Sequence, residues 1–160
     1  MKIISIDPGY ERVGIAILEK EQGGKETILY SDCFKTNPKD KLENRILLIG
    51  KEVESLIKKY SPKYLAIENL FFTTNQKTAM GVAEARGAII YEAKRNNLEI
   101  VEYTPLQIKN AVTGYGKADK NQVHSMVNNL IKLENKKYID DEIDAIAVGL
   151  TAFASLPSSR

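Results

Sequence analysis

Hydrophobic and polar positions change rhythm along this chain, and the change divides it in two. In the first 34 residues short apolar runs are broken by turn residues, which predicts strands over Lys2–Ile6, Val13–Leu18 and Thr27–Phe34. The connections at Pro8-Gly9 and Gly23-Gly24 are short enough for hairpins. From Lys41 to Tyr60 the apolar positions fall at Leu42, Ile46, Ile49, Val53, Leu56 and Tyr60, a helical spacing that Ser61-Pro62 stops. A short buried strand, Tyr64–Ile67, follows and ends on Glu68. A helix over Gln76–Arg95 carries small residues (Ala79, Gly81, Ala83, Ala85, Gly87) that permit close packing, and Leu98–Tyr103 is a fifth strand. A helix from Pro105 ends near Thr113-Gly114, and Asp119 is placed to cap the next one, which carries Val123, Met126, Val127, Leu130 and Ile131. The last helix begins after Asp140 and buries Ile143, Ile146, Val148, Leu150 and Phe153.

The resulting order, βββ-α-β-α-β-α-α-α, places the chain in the α/β class. Three antiparallel strands followed by αβ units give a mixed sheet with helices on its faces. No repeat, linker or low-complexity segment interrupts it, so residues 1–156 read as one domain and 157–160 as a flexible tail. At 160 residues with 43% hydrophobic and 28% charged positions, the chain has enough apolar material for one core. The net charge of +2 argues neither for nor against a nucleic-acid partner. A single cysteine, Cys33, excludes an internal disulfide and a multi-cysteine zinc site, and its apolar surroundings suit a small buried residue. No apolar run reaches the ~18 residues a membrane helix needs, and no secretory leader opens the chain. The expectation is a soluble, cytoplasmic protein.

The candidate chemistry lies in the acids. Asp7 ends a strand that otherwise reads as fully buried, and Glu68 does the same. An unpaired buried carboxylate costs several kcal/mol or gives up its charge. Asp before Pro-Gly is also ordinary turn chemistry, and Glu68 could be a solvated strand end. If the first and fourth strands are parallel neighbours, both acids project into one crevice at the strand carboxyl ends. Asp141 and Asp144, three apart, share a helix face, as Asp140 and Asp144, four apart, could also do. Asp140, Asp141 and Glu142 also suit the positive end of a helix dipole. Asp144 lies deeper, against the apolar run Ala145–Val148, where an acid wants a cation. Hard oxygen ligands of this kind suit Mg²⁺ or Mn²⁺, and two such ions ~3.5–4 Å apart drive phosphodiester hydrolysis. The lone His124 reads as structural or phosphate-facing.

Basic residues gather near these acids. Between Pro105 and Lys137 six lysines stand against two acids, a local excess of +4. They form either a solvated face or a phosphate-binding one. Lys109 and Lys120 bracket the loop Gly114-Tyr115-Gly116-Lys117, whose glycines and Lys117 suit phosphate contacts. Phe71 and Phe72 stand in a polar loop after Glu68; one can pack and the other can stack on a base.

In this order and spacing the residues carry a family resemblance over residues 1 to about 153. The pieces are IDPG at 6–9, IEN-x-FF at 67–72 with Asn75 beyond it, and EARG at 84–87. EYTP at 102–105 follows, with Lys109 four further on, then TGYGKADK at 113–120, QVHSMV at 122–127 and D-x-x-DA at 141–145. The chain resembles RuvC-type Holliday junction endonucleases of the ribonuclease H-like superfamily. The resemblance implies a five-stranded ribonuclease H-like sheet. It implies Asp7, Glu68, Asp141 and Asp144 as catalytic metal ligands, holding Mg²⁺ or Mn²⁺, two ions per site. It implies that Phe71 acts on DNA bases, with Phe72 and Asn75 beside it, and that Lys109 and Lys120 contact phosphates, Lys120 close to the reaction. It also implies four-way junction DNA as substrate, paired symmetric nicks from a twofold homodimer, and branch-migration partners of the RuvA and RuvB type. Glu84, where the family often has Gln, and Ala152, near which it often has His, depart from the pattern outside the catalytic set. Three rivals stand beside this reading: an actin-like phosphotransferase half, a junction-binding module without catalysis, and a sister nuclease acting on RNA.

Overall fold

The computed structural model describes residues 1–70, 76–133 and 136–157. Strands β1 (Lys2–Asp7), β2 (Arg12–Lys20) and β3 (Glu26–Lys35) form an antiparallel meander, and helix α1 (Leu42–Tyr60) leads to β4 (Tyr64–Glu68). Helix α2 (Gln76–Arg95) leads to β5 (Glu99–Tyr103), and α3 (Pro105–Thr113), α4 (Lys120–Leu130) and α5 (Asp140–Ser155) complete the chain. The sheet order is β3-β2-β1-β4-β5, with β1 parallel to β4 and β4 parallel to β5. This is the predicted mixed five-stranded sheet, and β1 and β4 are the parallel neighbours the acid pattern required.

Alternation along the strands decides which layer each residue serves. Ile4, Ile6, Ile15, Ile17, Leu65 and Ile67 pack under α1 and α2. Ile3, Ala16, Leu18, Tyr64 and Ala66 pack under α3, α4 and α5. Extending the period by one residue puts both Asp7 and Glu68 on the α5 side. Each ends its strand, as the sequence pattern predicts, with pairing that continues to Asp7↔Gly14 and Glu68↔Tyr103.

Two glycines let α5 lie directly on the central strands. A Cβ at Gly14 would overlap the backbone carbonyl of Asp141, and one at Gly149 would overlap Leu18. Gly14 sits opposite Asp7, so the first turn of α5 is pressed against the end of β1 that carries the acid. The helix begins on Asp140 itself, one residue earlier than its sequence suggests, with Ile139 as N-cap. The acids of its first turn face the positive end of the helix dipole. Asp119 caps α4 as expected, in a reciprocal box with Gln122, and Thr104 caps α3 in the same way with Gln107. Gly81 meets the Tyr10 ring, as a small residue for close packing should, but Gly87 has open space around it.

Gly14→Ala is expected to cost about 1–3 kcal/mol in chemical denaturation, because strand and helix backbones must separate to admit one methyl group. Unchanged stability would mean that α5 is not seated on β2 at this point.

Candidate active site

The site forms where three backbones end together. Asp7 and Glu68 follow the paired Ile6 and Ile67 on adjacent parallel strands, and α5 brings Asp141 and Asp144 over them. Burial first, then the carboxylates of Glu68, Asp144 and Asp141, pushes the Asp7 carboxyl up to about 8, while Lys120 pulls it back. Burial and then Asp144 also raise Glu68; a hydrogen bond from Asp7 and the charges of Lys109 and Lys120 hold it down. Asp7 is thus the focus of the cluster, with three acids acting on it, and at neutral pH it keeps a proton. The set cannot carry all its charges without a cation.

The side chains of α4 and β2 supply partial compensation. Lys120, the first residue of α4, places Nζ 3.0 Å from Asp144 Oδ2 and 3.4 Å from Asp140 Oδ2. Burial alone would lower the Lys120 ammonium, but its two acidic partners outweigh it and the net shift is upward. One turn along, His124 Nε2 lies 3.0 Å from Asp144 Oδ1. Asp141 turns the other way and pairs with the Arg12 guanidinium at the start of β2. Asp140 stays on the outside, its side chain 65% exposed. Cys33 Sγ lies 3.8 Å from Asp141, and burial pushes its thiol up, which suits a packed thiol and not a thiolate nucleophile.

Glu68, Ile108, Lys109, Lys120, Val123 and Asp144 line a crevice of about 210 Å³ beside the acids. One wall is therefore carboxylate and the other ammonium, a division that suits a cation against a phosphate. Among the described residues, no group of three or more His, Cys, Asp or Glu converges to hold a metal as the side chains stand. Asp141 is held by Arg12, and Asp144 by Lys120 and His124. The donor chemistry nonetheless fits a hard divalent ion: four carboxylates, one of them unable to ionise at neutral pH for want of positive charge.

The structure brings together the four predicted acids, Lys109 and Lys120. Lys117 is exposed on the α3–α4 loop and is not among the crevice residues. Phe71, Phe72 and Asn75 lie outside the described residues. Sequence reasoning missed Arg12, and it read His124 as structural or phosphate-facing without its partner Asp144. Arg12 opens a strand as one charge among 44, and only the β2–α5 contact exposes its partner. His124 lies four residues after Lys120, a spacing that places both on one face of α4.

Residues 3–152 match the family model of crossover junction endodeoxyribonuclease RuvC. A crossover junction endodeoxyribonuclease RuvC of Caldicellulosiruptor saccharolyticus is 41% identical over 158 residues, 99% of this chain and 95% of that one. The same enzyme of Petrotoga mobilis is 44% identical over 153 residues, 96% of this chain and 91% of that one. Among solved structures, T. thermophilus RuvC in complex with Holliday junction substrate superposes with a TM-score of 0.89 at 28% identity. That superposition covers 96% of this chain and 93% of that one.

The raised Asp7 pKa has a sign that stability measurements can read. Between the unperturbed value of 3.8 and the folded value of about 8, the folded state holds a proton that the unfolded state has lost. Stability of the metal-free protein therefore falls as pH rises across that window. Asp7→Asn is expected to remove this dependence, leaving the protein little changed at pH 4. At pH 8 it should be more stable than wild type by at least about 1.4 kcal/mol, the equivalent of one pKa unit. Parallel pH–stability curves for the two proteins would place Asp7 outside the repulsive cluster.

Proposed function

The chain belongs to the RuvC family of crossover junction endodeoxyribonucleases, and from that premise we propose that Asp7, Glu68, Asp141 and Asp144 are the carboxylates with which it cleaves four-way (Holliday) DNA junctions. The observation that carries this assignment is the gathering of four acids from β1, β4 and α5 on one face of the sheet, where burial and then the neighbouring carboxylates push Asp7 up to about 8. Nothing in the folding of an α/β sheet calls for such a cluster, since like charges at close range only destabilise it.

The enzyme is metal-dependent, and Mg²⁺ is the cation we assign, with Mn²⁺ able to substitute and two ions per site. Divalent cations among these carboxylates supply Lewis-acid activation of water and charge stabilisation at the leaving oxygen. The protein's own residues do the rest. Asp7 and Glu68 stand on rigid strand ends, so the water-activating charge is held at a fixed place relative to the crevice. Lys109 and Lys120 line that crevice and take the non-bridging oxygens of the scissile phosphate, holding the negative charge that builds up during displacement. Lys120 would leave Asp144 to do so, and the Asp144 carboxylate would then be one of the residues that hold the cation. Capping boxes at both helix starts keep these two lysines in register with the acids. Lys117, exposed on the adjoining loop, would meet the backbone further along, and a role for Phe71, Phe72 and Asn75 at the DNA bases rests on family membership alone.

Resolution takes two nicks, and we assign this to a twofold homodimer, whose symmetry matches that of a junction. The outer surface of α1 and α2 supports the assignment. Leu47, Met80 and Tyr91 are 54%, 65% and 63% exposed there, and Ile46, Leu47, Ala88 and Tyr91 border one groove. Gly87, with nothing near it, costs an exposed helix about 1 kcal/mol relative to Ala unless another chain approaches. Branch-migration partners of the RuvA and RuvB type rest on family membership alone. No helix among the described residues is long and apolar enough to cross a membrane.

The test is strand nicking on a synthetic four-way DNA junction, with Mg²⁺ or with EDTA, beside a linear duplex and a four-way RNA junction of matching sequence. Paired nicks confined to the DNA junction, absent with EDTA and reduced at least 10³-fold in Asp7→Asn, are expected. Normal turnover by Asp7→Asn would remove Asp7 from the catalytic set.

A further inference from the structure

From the pairing at the start of β2, we infer that Arg12 is a latch on the fourth carboxylate, competing with the metal for Asp141. The inference rests on Asp141 being a ligand, as assigned above. Three observations carry it. Asp141 Oδ2 is bonded to the Arg12 guanidinium, so the atom a cation would take is already occupied by a positive group. Asp141 is the acid drawn toward β2: Asp7 hydrogen-bonds Glu68, and Asp144, though paired with Lys120 and His124, stays on the crevice it lines with Lys120. And the backbone under Asp141 cannot adjust, because its carbonyl is pressed against Gly14.

These facts limit how the site can close on an ion. Helix α5 has no room to slide toward β2, so Asp141 reaches the metal by side-chain rotation alone. That rotation breaks the pair with Arg12. The Arg12 side chain is 48% exposed and can swing into solvent without disturbing the core. Binding of the ion that uses Asp141 is thus weakened by the fraction of molecules in which the latch is shut. An ion pair of this exposure contributes a modest but measurable amount, which converts to a change of about 2–5-fold in apparent affinity.

The latch differs from a generic charge effect, and Lys35 separates the two. Lys35 is the cross-strand partner of Arg12 in the β2–β3 register, is exposed, and is not paired with Asp141. Removing either residue deletes one positive charge at the same end of the β2–β3 pair. Only Arg12 touches the carboxylate.

The measurement is Mn²⁺ affinity of the full chain without DNA, by titration calorimetry at about 0.15 M salt, for wild type, Arg12→Ala, Arg12→Gln, Lys35→Ala and Asp141→Asn. Both Arg12 variants should bind Mn²⁺ about 2–5-fold more tightly than wild type, and Lys35→Ala should change it less. Asp141→Asn should weaken binding, and Arg12→Ala added to it should bring no gain. Equal tightening in Arg12→Ala and Lys35→Ala would assign the effect to net charge and overturn the latch, as would unchanged affinity in both Arg12 variants. Undiminished binding in Asp141→Asn would instead overturn the ligand assignment on which the latch rests.

Discussion

Asp7 is a carboxylate that its own surroundings prevent from ionising. Burial at the end of its strand, and then Glu68 on the neighbouring strand and two acids of α5 above it, push it up to about 8. Most features of this end of the molecule follow from that burial of like charges. Lys120, His124 and Arg12 each turn toward an acid and relieve part of it. None of them reaches Asp7 itself with a direct ion pair. Strand alternation holds the acid on the α5 side, and the sheet cannot rotate it away without turning Ile6 out of the opposite core. A divalent cation among these oxygens removes the conflict and permits the ionised form.

Holding the cluster together costs stability that the rest of the fold must supply. It comes from the two apolar layers, above all from α5, whose residues from Ile143 to Phe153 are almost all buried. Small residues make that burial possible. Gly14 and Gly149 let the helix descend onto β1 and β2, and the small side chain of Ala145 on α5 faces Gly14. The same close approach that builds the core therefore fixes the distance between the Asp7 strand and the first turn of α5. Packing and chemistry are set by one contact, which is why a single methyl group on Gly14 bears on both.

Much of this was legible in the residues. Period-two runs and helical spacings located all ten elements, and two strands each ending in an acid pointed to a shared crevice before any pairing was known. Asp119 as a cap followed from its place before a polar–apolar helix. The start of α5 was less legible: the helix begins on Asp140 because Ile139 caps it, one residue before the apolar spacing suggests. Arg12 was hidden because 129 residues separate it from Asp141. The split of the α5 acids, Asp141 toward β2 and Asp144 toward α4, depends on where the helix lies on the sheet. The three-residue spacing alone put them on one face and left that divergence unseen.

If a cation takes the place of the proton on Asp7, that proton must leave when the ion binds. Calorimetric titration of the full chain with Mg²⁺ at pH 7, repeated in buffers of different ionisation enthalpy, counts it directly. The account predicts release of about one proton per site in wild type and essentially none in Asp7→Asn. Binding with no proton release in wild type, at an affinity that Asp7→Asn shares, would contradict it.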